Sequence, residues 1–218
     1  MRALIFDVDG TLAETEELHR RAFNETFAAA GLAWHWTPAD YGRLLKTTGG
    51  KERIARFMAE TGASGVDIPA LHAAKTDRYT RLMAEGGLAL RPGVADLIAR
   101  ARARGVRLAV ATTTSRPNVE ALCRACLGGP AAAVFDVLAC GDEVARKKPA
   151  PDVFLLALDR LGLPAADCLA FEDSRNGLDS ARGAGLRCVV TPSAYTSTED
   201  FAGAALVLRD LAAFPLED

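Results

Sequence analysis

Cysteine is scarce. Five residues (Cys123, Cys126, Cys140, Cys168 and Cys188) are scattered over the second half of 218 residues. An odd number spread through candidate strands and helices fits a reduced, cytoplasmic protein better than a disulfide framework. The one close pair, Cys123-Arg124-Ala125-Cys126, stands alone inside a helical pattern with no neighbouring ligands. It reads as two small residues on one helix face rather than a zinc site. No apolar run approaches the roughly 18 residues of a membrane span. The opening run meets charge at Asp7, too soon for a signal-peptide core. Neither sign of charge dominates: 26 Lys and Arg against 28 Asp and Glu leave a net charge of −2. That argues against a dedicated nucleic-acid binder. Internal repeats and low-complexity tracts are absent. What remains is half apolar and a quarter charged, enough core for one large domain or one domain with an insert, and compatible with a monomer.

Short apolar runs set the organisation. Ala3–Phe6, Val106–Ala111, Val134–Ala139, Cys168–Phe171, Leu186–Val190 and Ala205–Leu208 read as buried strands. Amphipathic stretches Val94–Arg104, Val119–Leu127, Asp152–Leu161 and Leu178–Ala184 alternate with them, punctuated by Gly105, Pro117, Gly162 and Gly185. Alternation of this kind predicts an α/β fold with a doubly wound parallel sheet. The first strand breaks the rhythm, because the next candidate begins only at Val106, whereas a simple crossover unit needs about 30 residues. The intervening segment carries four helical faces: Leu18, Ala22, Phe23, Phe27 and Ala30; Tyr41, Leu44 and Leu45; Ile54, Phe57 and Met58; then Leu71, Ala74, Tyr79 and Leu82. Residues 14–88 are therefore expected to form a helical cap over a core built from 1–13 and 89–218. Residues 191–202 read as a surface loop.

Polar chemistry collects where these strands end. Asp7 and Asp9 follow the first strand, and alternation points both the same way. Gly10 permits a sharp turn. Paired carboxylates at one strand tip repel unless a cation or a shared proton intervenes, and a hard divalent ion such as Mg²⁺ suits them. Thr112, Thr113, Thr114 and Ser115 follow the second strand at a helix start, a setting for phosphate. Lys147-Lys148-Pro149 follows the third strand, and Glu172-Asp173-Ser174 the fourth, with Ser174 a candidate N-cap. Singly, each piece also reads as a turn, cap or solvated charge. In open α/β sheets, however, ligands bind beyond the carboxyl ends of the strands, and four such pieces stand there in succession.

DVDGT at 7–11, the Thr112 segment, KKPAPD at 147–152 and FEDSRNG at 171–177 resemble, in order, the four motifs of the haloacid-dehalogenase superfamily. The resemblance covers nearly the whole chain. It implies a Rossmann-like core with a C1-type helical cap, Mg²⁺ as cofactor and phosphomonoester hydrolysis. By the same resemblance Asp7 is the nucleophile and Asp9 the general acid and base. Thr112 and the Thr113 amide hold the phosphoryl group, and Lys148 neutralises charge. The resemblance also gives Asp7, Asp173 and the Asp9 carbonyl to the metal, with Glu172 just behind them.

Within the cap, Thr47-Thr48-Gly49-Gly50-Lys51-Glu52-Arg53 combines glycines and cations at a helix start, as an anion pocket would. Lys75 and Arg78 fit the same pocket or read as solvated helix charges. His19 reads as a ligand or as a buried structural histidine. A second anion pocket points to a sugar bisphosphate. The segments at 14–27, 47–54 and 111–123 resemble a branch of the superfamily that removes xylulose 1,5-bisphosphate, an inhibitor of Rubisco, as xylulose 5-phosphate. That resemblance implies substrate contacts from Glu16, Gly49, Gly50, Lys51, Arg53, Lys75 and Arg78, and from Thr113, Thr114, Ser115 and Asn118. A β-phosphoglucomutase-like mutase and a phosphoglycolate phosphatase are the alternatives. A non-catalytic sugar-phosphate sensor would be free to lose Asp7 or Asp9, and both are present.

Overall fold

The computed structural model describes residues 1–216. The six short apolar runs form β1 (Ala3–Phe6), β2 (Arg107–Ala111), β3 (Val137–Ala139), β4 (Cys168–Glu172), β5 (Arg187–Val190) and β6 (Leu206–Val207). They pair in parallel as one sheet in the order β3-β2-β1-β4-β5-β6, the Rossmann-like order expected. Strand alternation sends β1 into two cores. Leu4 and Phe6 face one side, with Phe6 stacked on Phe171 of β4 at 4.8 Å. Ala3 and Ile5 face the other.

On the first face lie α5 (Val94–Ala103), α6 (Arg116–Leu127) and the short α7 (Ala131–Val134). The second face carries α8 (Asp152–Leu161) and α9 (Arg175–Gly183). There the strands present mainly small residues, Ala3, Ala109, Ala111, Ala139 and Ala170, and the helices fill the space with Val153, Phe154, Leu158 and Leu178. Burying one such large apolar side chain contributes about 1.5–3 kcal/mol. The expected strand Val134–Ala139 is shorter: Val134 closes α7 and only Val137–Ala139 is strand. An apolar run alone does not distinguish a helical turn from a strand. Helices α6 and α9 begin three residues earlier than their apolar faces suggest, because their first turns are polar.

Between β1 and α5 stand the four expected cap helices, α1 (Glu16–Ala29), α2 (Pro38–Leu45), α3 (Gly50–Thr61) and α4 (Ile68–Ala84). Phe23, Phe27, Trp36, Tyr41, Leu44, Ile54 and Leu71 form their shared core. Asn24 pins the α1–α2 connection by accepting from the Trp36 amide at 2.8 Å and donating to its carbonyl at 2.9 Å. Ala30 and Ala74, expected on buried faces, are exposed. The buried positions of α4 are Leu71, Lys75, Tyr79, Leu82 and Met83, so a lysine occupies an apolar row. The two connections to the core run side by side, with Ala13 bridging both Asp9 and Leu90. Among the described residues no helix is long and apolar enough to cross a membrane.

Candidate active site

The sheet order reverses around β1, whose neighbours β2 and β4 lead to opposite edges. A crevice opens at such a switch point, outside the strand carboxyl ends. A cleft of about 570 Å³ lies there, between the core and the cap. The Asp7 amide still bonds to the Phe171 carbonyl at 2.9 Å, so Asp7 is fixed as an extension of the strand. After Asp9 the chain turns at Gly10, with φ +78°. A Cβ at Gly10 would stand 2.2 Å from the Asp173 carboxylate, so only glycine lets the two strand tips approach. Gly177 plays the same part beneath Glu172, whose carboxylate would lie 1.9 Å from an added Cβ.

The cleft floor is a charge cluster. Lys148 Nζ donates to Asp7 Oδ1 at 2.7 Å, Glu172 Oε1 at 2.5 Å and the Ala111 carbonyl at 2.9 Å. The Lys148 side chain is 4% exposed. Burial would lower its ammonium, but the Asp7 and Glu172 carboxylates outweigh that and hold it above its ordinary range. Asp7, Glu172 and Asp173 bring carboxylate oxygens within 4.8 Å of one another. Burial pushes the Asp7 carboxyl up to about 8 against the pull of Lys148, and Glu172 adds to the rise. Asp173 is likewise held well above the usual carboxylate range by burial, then by Glu172 and Asp7. Three buried carboxylates facing one ammonium leave negative charge uncompensated. An all-oxygen set of this kind fits a hard divalent cation. Glu172, expected just behind the metal residues, places its carboxylate within the same cluster of oxygens, where it also accepts from Lys148.

The Asp9 side chain turns away from this cluster toward the cap. Its Oδ1 accepts from Thr15 Oγ1 at 2.6 Å and lies 3.0 Å from His19 Nε2. Behind His19, Lys75 Nζ stands 2.5 Å from Nδ1. The Lys75 ammonium also lies over the Phe23 and Tyr79 rings at 4.7 and 4.8 Å. Burial alone would raise the Asp9 carboxyl; His19, Thr15 and Lys75 reverse this and hold it well below the ordinary range. Burial, with Lys75 beside it, keeps the His19 imidazole below its usual value. Burial brings Lys75 down to about 7.

The β2 tip supplies Thr112, Thr113, Thr114 and Ser115 to the wall, and Asn118 stands one turn into α6. The opposite wall holds Glu16, Gly49, Gly50, Lys51 and Arg53. Arg53 donates to Tyr41 Oη at 3.0 Å, and Tyr41 in turn to Glu16 at 2.7 Å. Arg53 Nε, Ser115 Oγ and Asn118 Oδ1 are buried without a partner.

One expected contact residue is elsewhere. Arg78 lies outside the cleft, on a flank of α4 turned toward α1, paired with Glu25 and, at 3.7 Å, with Glu85. Three residues beyond Lys75 it is offset by about 60° around the helix, and its long side chain runs along the flank to Glu25 and Glu85 rather than into the cleft.

Sequence reasoning missed the segment read as a surface loop at 191–202. Thr191, Ser193 and Thr196 are buried, and Thr196 donates to the Asp173 carbonyl at 2.7 Å. Tyr195 reaches the cap through Glu17 and packs edge-on against Tyr41 at 5.7 Å. Also missed were His72 and Asn176, which border the cleft. Asn176 alone carried a signal, since it lies inside the FEDSRNG motif.

A Rossmann-like sheet, a helical cap after β1 and acids at the β1 and β4 tips around a buried lysine define a phosphatase of the haloacid-dehalogenase type. The family profile for haloacid dehalogenase-like hydrolases matches residues 1–185, and the chain belongs to that family. It is 61% identical over 214 residues to Protein CbbY of Cereibacter sphaeroides, covering 97% of this chain and 93% of that one. Its structure resembles that of CbbY from Rhodobacter sphaeroides in complex with phosphate, with a TM-score of 0.95 and 60% identity over 98% of this chain and 96% of the other. A mutant of that CbbY in complex with xylulose-(1,5)bisphosphate matches with a TM-score of 0.94 at the same identity and coverage.

Proposed function

We propose that this chain is a Mg²⁺-dependent phosphatase that hydrolyses xylulose 1,5-bisphosphate to xylulose 5-phosphate and inorganic phosphate. The observation that carries the reading is a cleft with two anion-binding ends, a floor that Lys148 and a bound cation would make positive and a cap-side wall of basic side chains. Lys148 sits beside Asp7 at the floor, and Lys51, Arg53 and Lys75 stand on the cap side. A monophosphate fills one end and a bisphosphate fills both. The likeness to a CbbY seen with this bisphosphate supports the same choice.

Asp7, Glu172 and Asp173 would hold the cation, with the Asp9 backbone carbonyl. When bound, Mg²⁺ supplies positive charge that offsets repulsion between the phosphate and Asp7. In the reaction Asp7 attacks phosphorus and the bond to the sugar oxygen breaks. Asp9 gives that oxygen a proton, and Asp7 becomes an aspartyl-phosphate. Water then attacks phosphorus, Asp9 takes its proton, and Asp7 is released with inorganic phosphate. Asp9 rests as the carboxylate, the form the second half uses. For the first half it must carry a proton, which requires the Thr15 and His19 contacts that hold it as the carboxylate to release it toward the leaving oxygen.

Splitting hydrolysis into two displacements gives two easier steps, and a positioned acid contributes about 10²–10⁴-fold. Thr112 and the Thr113 amide would hold the phosphoryl oxygens, while Lys148 compensates charge that builds on them. Glu16, Ser115 and Asn118 face the sugar hydroxyls in this reading. The cap closes over the cleft about hinges near 13–15 and 86–90 and excludes bulk water. Five free thiols suit the reducing cytoplasm.

The test is phosphate release from xylulose 1,5-bisphosphate, with Mg²⁺ present or chelated. Wild type should release one phosphate per substrate with Mg²⁺ and little without it. Asp7→Asn should lose at least about a thousandfold in kcat with unchanged circular dichroism. Isomerisation without phosphate release would instead identify a mutase.

A further inference from the structure

Asn176 performs no step above, yet it makes a direct link between core and cap. It is the second residue of α9, whose N-cap Ser174 accepts from the Gly177 amide. That cap fixes the first turn immediately after Glu172 and Asp173. From there Asn176 Nδ2 reaches across the cleft to the loop joining α2 and α3, donating to Thr48 Oγ1 at 3.1 Å and to the Lys46 carbonyl at 3.3 Å. The same loop runs directly into Gly49, Gly50 and Lys51, where α3 begins.

Two features make the link specific. In the first turn of α9 the Asn176 side chain directs both of its hydrogen bonds to the cap loop rather than to its own helix. The accepting loop has little else to set its height over the core. Thr47 bonds back to Leu44 and Arg56 bonds to Thr47, both contacts within the cap. Lys51 meets Asp142 of the core only at 3.7 Å, and both side chains are about half exposed (49% and 54%). A pair so exposed is screened and worth little.

We propose that Asn176 is a positioning residue that sets the height of the 46–50 loop, and with it the α3 start, over the catalytic acids. The proposal rests on the reading that this loop receives the second phosphate of a bisphosphate. Asn176 does not touch the reacting atoms; it acts through Thr48 and the Lys46 carbonyl. Its effect falls on how well the distal anion is met once the first phosphate lies on Asp7. A displacement of about an ångström at such a contact matters.

The test pairs Asn176→Ala with Asn176→Asp, which keeps the size but removes both donors. Two readouts are needed. Hydrogen exchange on the substrate-free protein should become faster over residues 46–51 in both variants, with the β1 and β4 amides unchanged. In steady-state assays, KM for xylulose 1,5-bisphosphate should rise about threefold to tenfold, the range a lost hydrogen bond or two implies. The accompanying change in kcat should be under about twofold, and the KM of a simple monophosphate ester should move much less.

Unchanged exchange over 46–51 would overturn the clamp whatever the substrate proves to be. Faster exchange with equal KM changes for bisphosphate and monophosphate would overturn its role in gripping the distal group. A wild type that releases no phosphate from the bisphosphate would sink the substrate reading instead, and the exchange result alone would then decide the clamp. Adding Thr48→Val to Asn176→Ala should produce less than the sum of the two single effects, because both remove one shared contact.

Discussion

Lys75 isolates a conflict between stability and function at a single residue. Its row on α4, with Leu71 and Tyr79, is a core row, and an apolar residue would pack there without a desolvation cost. Instead an ammonium is held 2.5 Å from His19 and over two aromatic rings. Replacing a buried charged group by an apolar one of similar volume is often neutral or stabilising. Lys75→Met should therefore leave the urea midpoint at pH 7 unchanged or raised. At the same time kcat/KM should fall at least about tenfold, as Asp9 loses the support relayed through His19. The pH dependence has a definite sign. Burial lowers Lys75 from 10.5 to about 7 in the folded protein. Between those values the unfolded chain holds a proton that the folded one does not. Wild-type stability then gains from this group as pH rises from about 7 toward 10.5. Lys75→Met lacks that gain, so urea titrations should find its advantage shrinking across the window. An advantage independent of pH would mean the ammonium is not desolvated.

Between the elements, the pieces that meet at the switch point were legible wherever a strand preceded them. Asp7, Thr112 and Asp173 stand where continuous apolar runs end, and Lys148 lies in the connection after the third run, so the ends of the buried strands mark the site. Four cap helices were legible from apolar faces that repeat with the helical period. The loop at 191–202 was not, because burial of hydroxyls such as Thr191, Ser193 and Thr196 leaves no period in the sequence. Arg91 was hidden too: it follows the second cap connection and reads as an exposed charge. In the fold its side chain is 9% exposed and pairs with Glu14 at 3.3 Å. It donates to the carbonyls of Thr191 at 2.6 Å, Pro192 at 2.8 Å and Arg209 at 3.3 Å, and to that of Gly10. One guanidinium thus joins the β1 turn, the hinge and the loop beneath Asp173. Arg91→Ala strips several carbonyls of their donor and should cost about 2–4 kcal/mol in urea unfolding. Arg91→Lys keeps the charge but not the planar fork, and should lie between. Equal stability of all three would mean the loop and hinge are held by their other contacts.

Across the whole molecule, the placement of acids at the switch point works against folding stability in the absence of a metal. Asp7 rises from 3.8 to about 8 in the folded chain, chiefly because it is buried. Between those values the folded protein holds a proton that the unfolded chain has released. Stability from this group therefore falls as pH climbs from about 4 to 8, and Asp173, shifted the same way, adds to the decline. A divalent cation held among Asp7, Glu172 and Asp173, as proposed, would bind the folded chain and have no such site in the unfolded one. At a hundred times its dissociation constant, a ligand of that kind stabilises by about 2.7 kcal/mol. For a chain of this length that is roughly 5–10 °C in Tm. Adding Mg²⁺ to chelated protein at pH 7.5 should raise Tm by that amount, and at pH 5 by much less, since protons then compete for the same oxygens. Asp173→Asn should melt higher than wild type without metal, because it removes one of three crowded carboxylates, and should gain little from Mg²⁺. That crossing of the two melting temperatures separates a metal site from a merely acidic cleft, and it needs no substrate. If Mg²⁺ shifts wild type and Asp173→Asn equally, the cation lies elsewhere and these acids do not form its site.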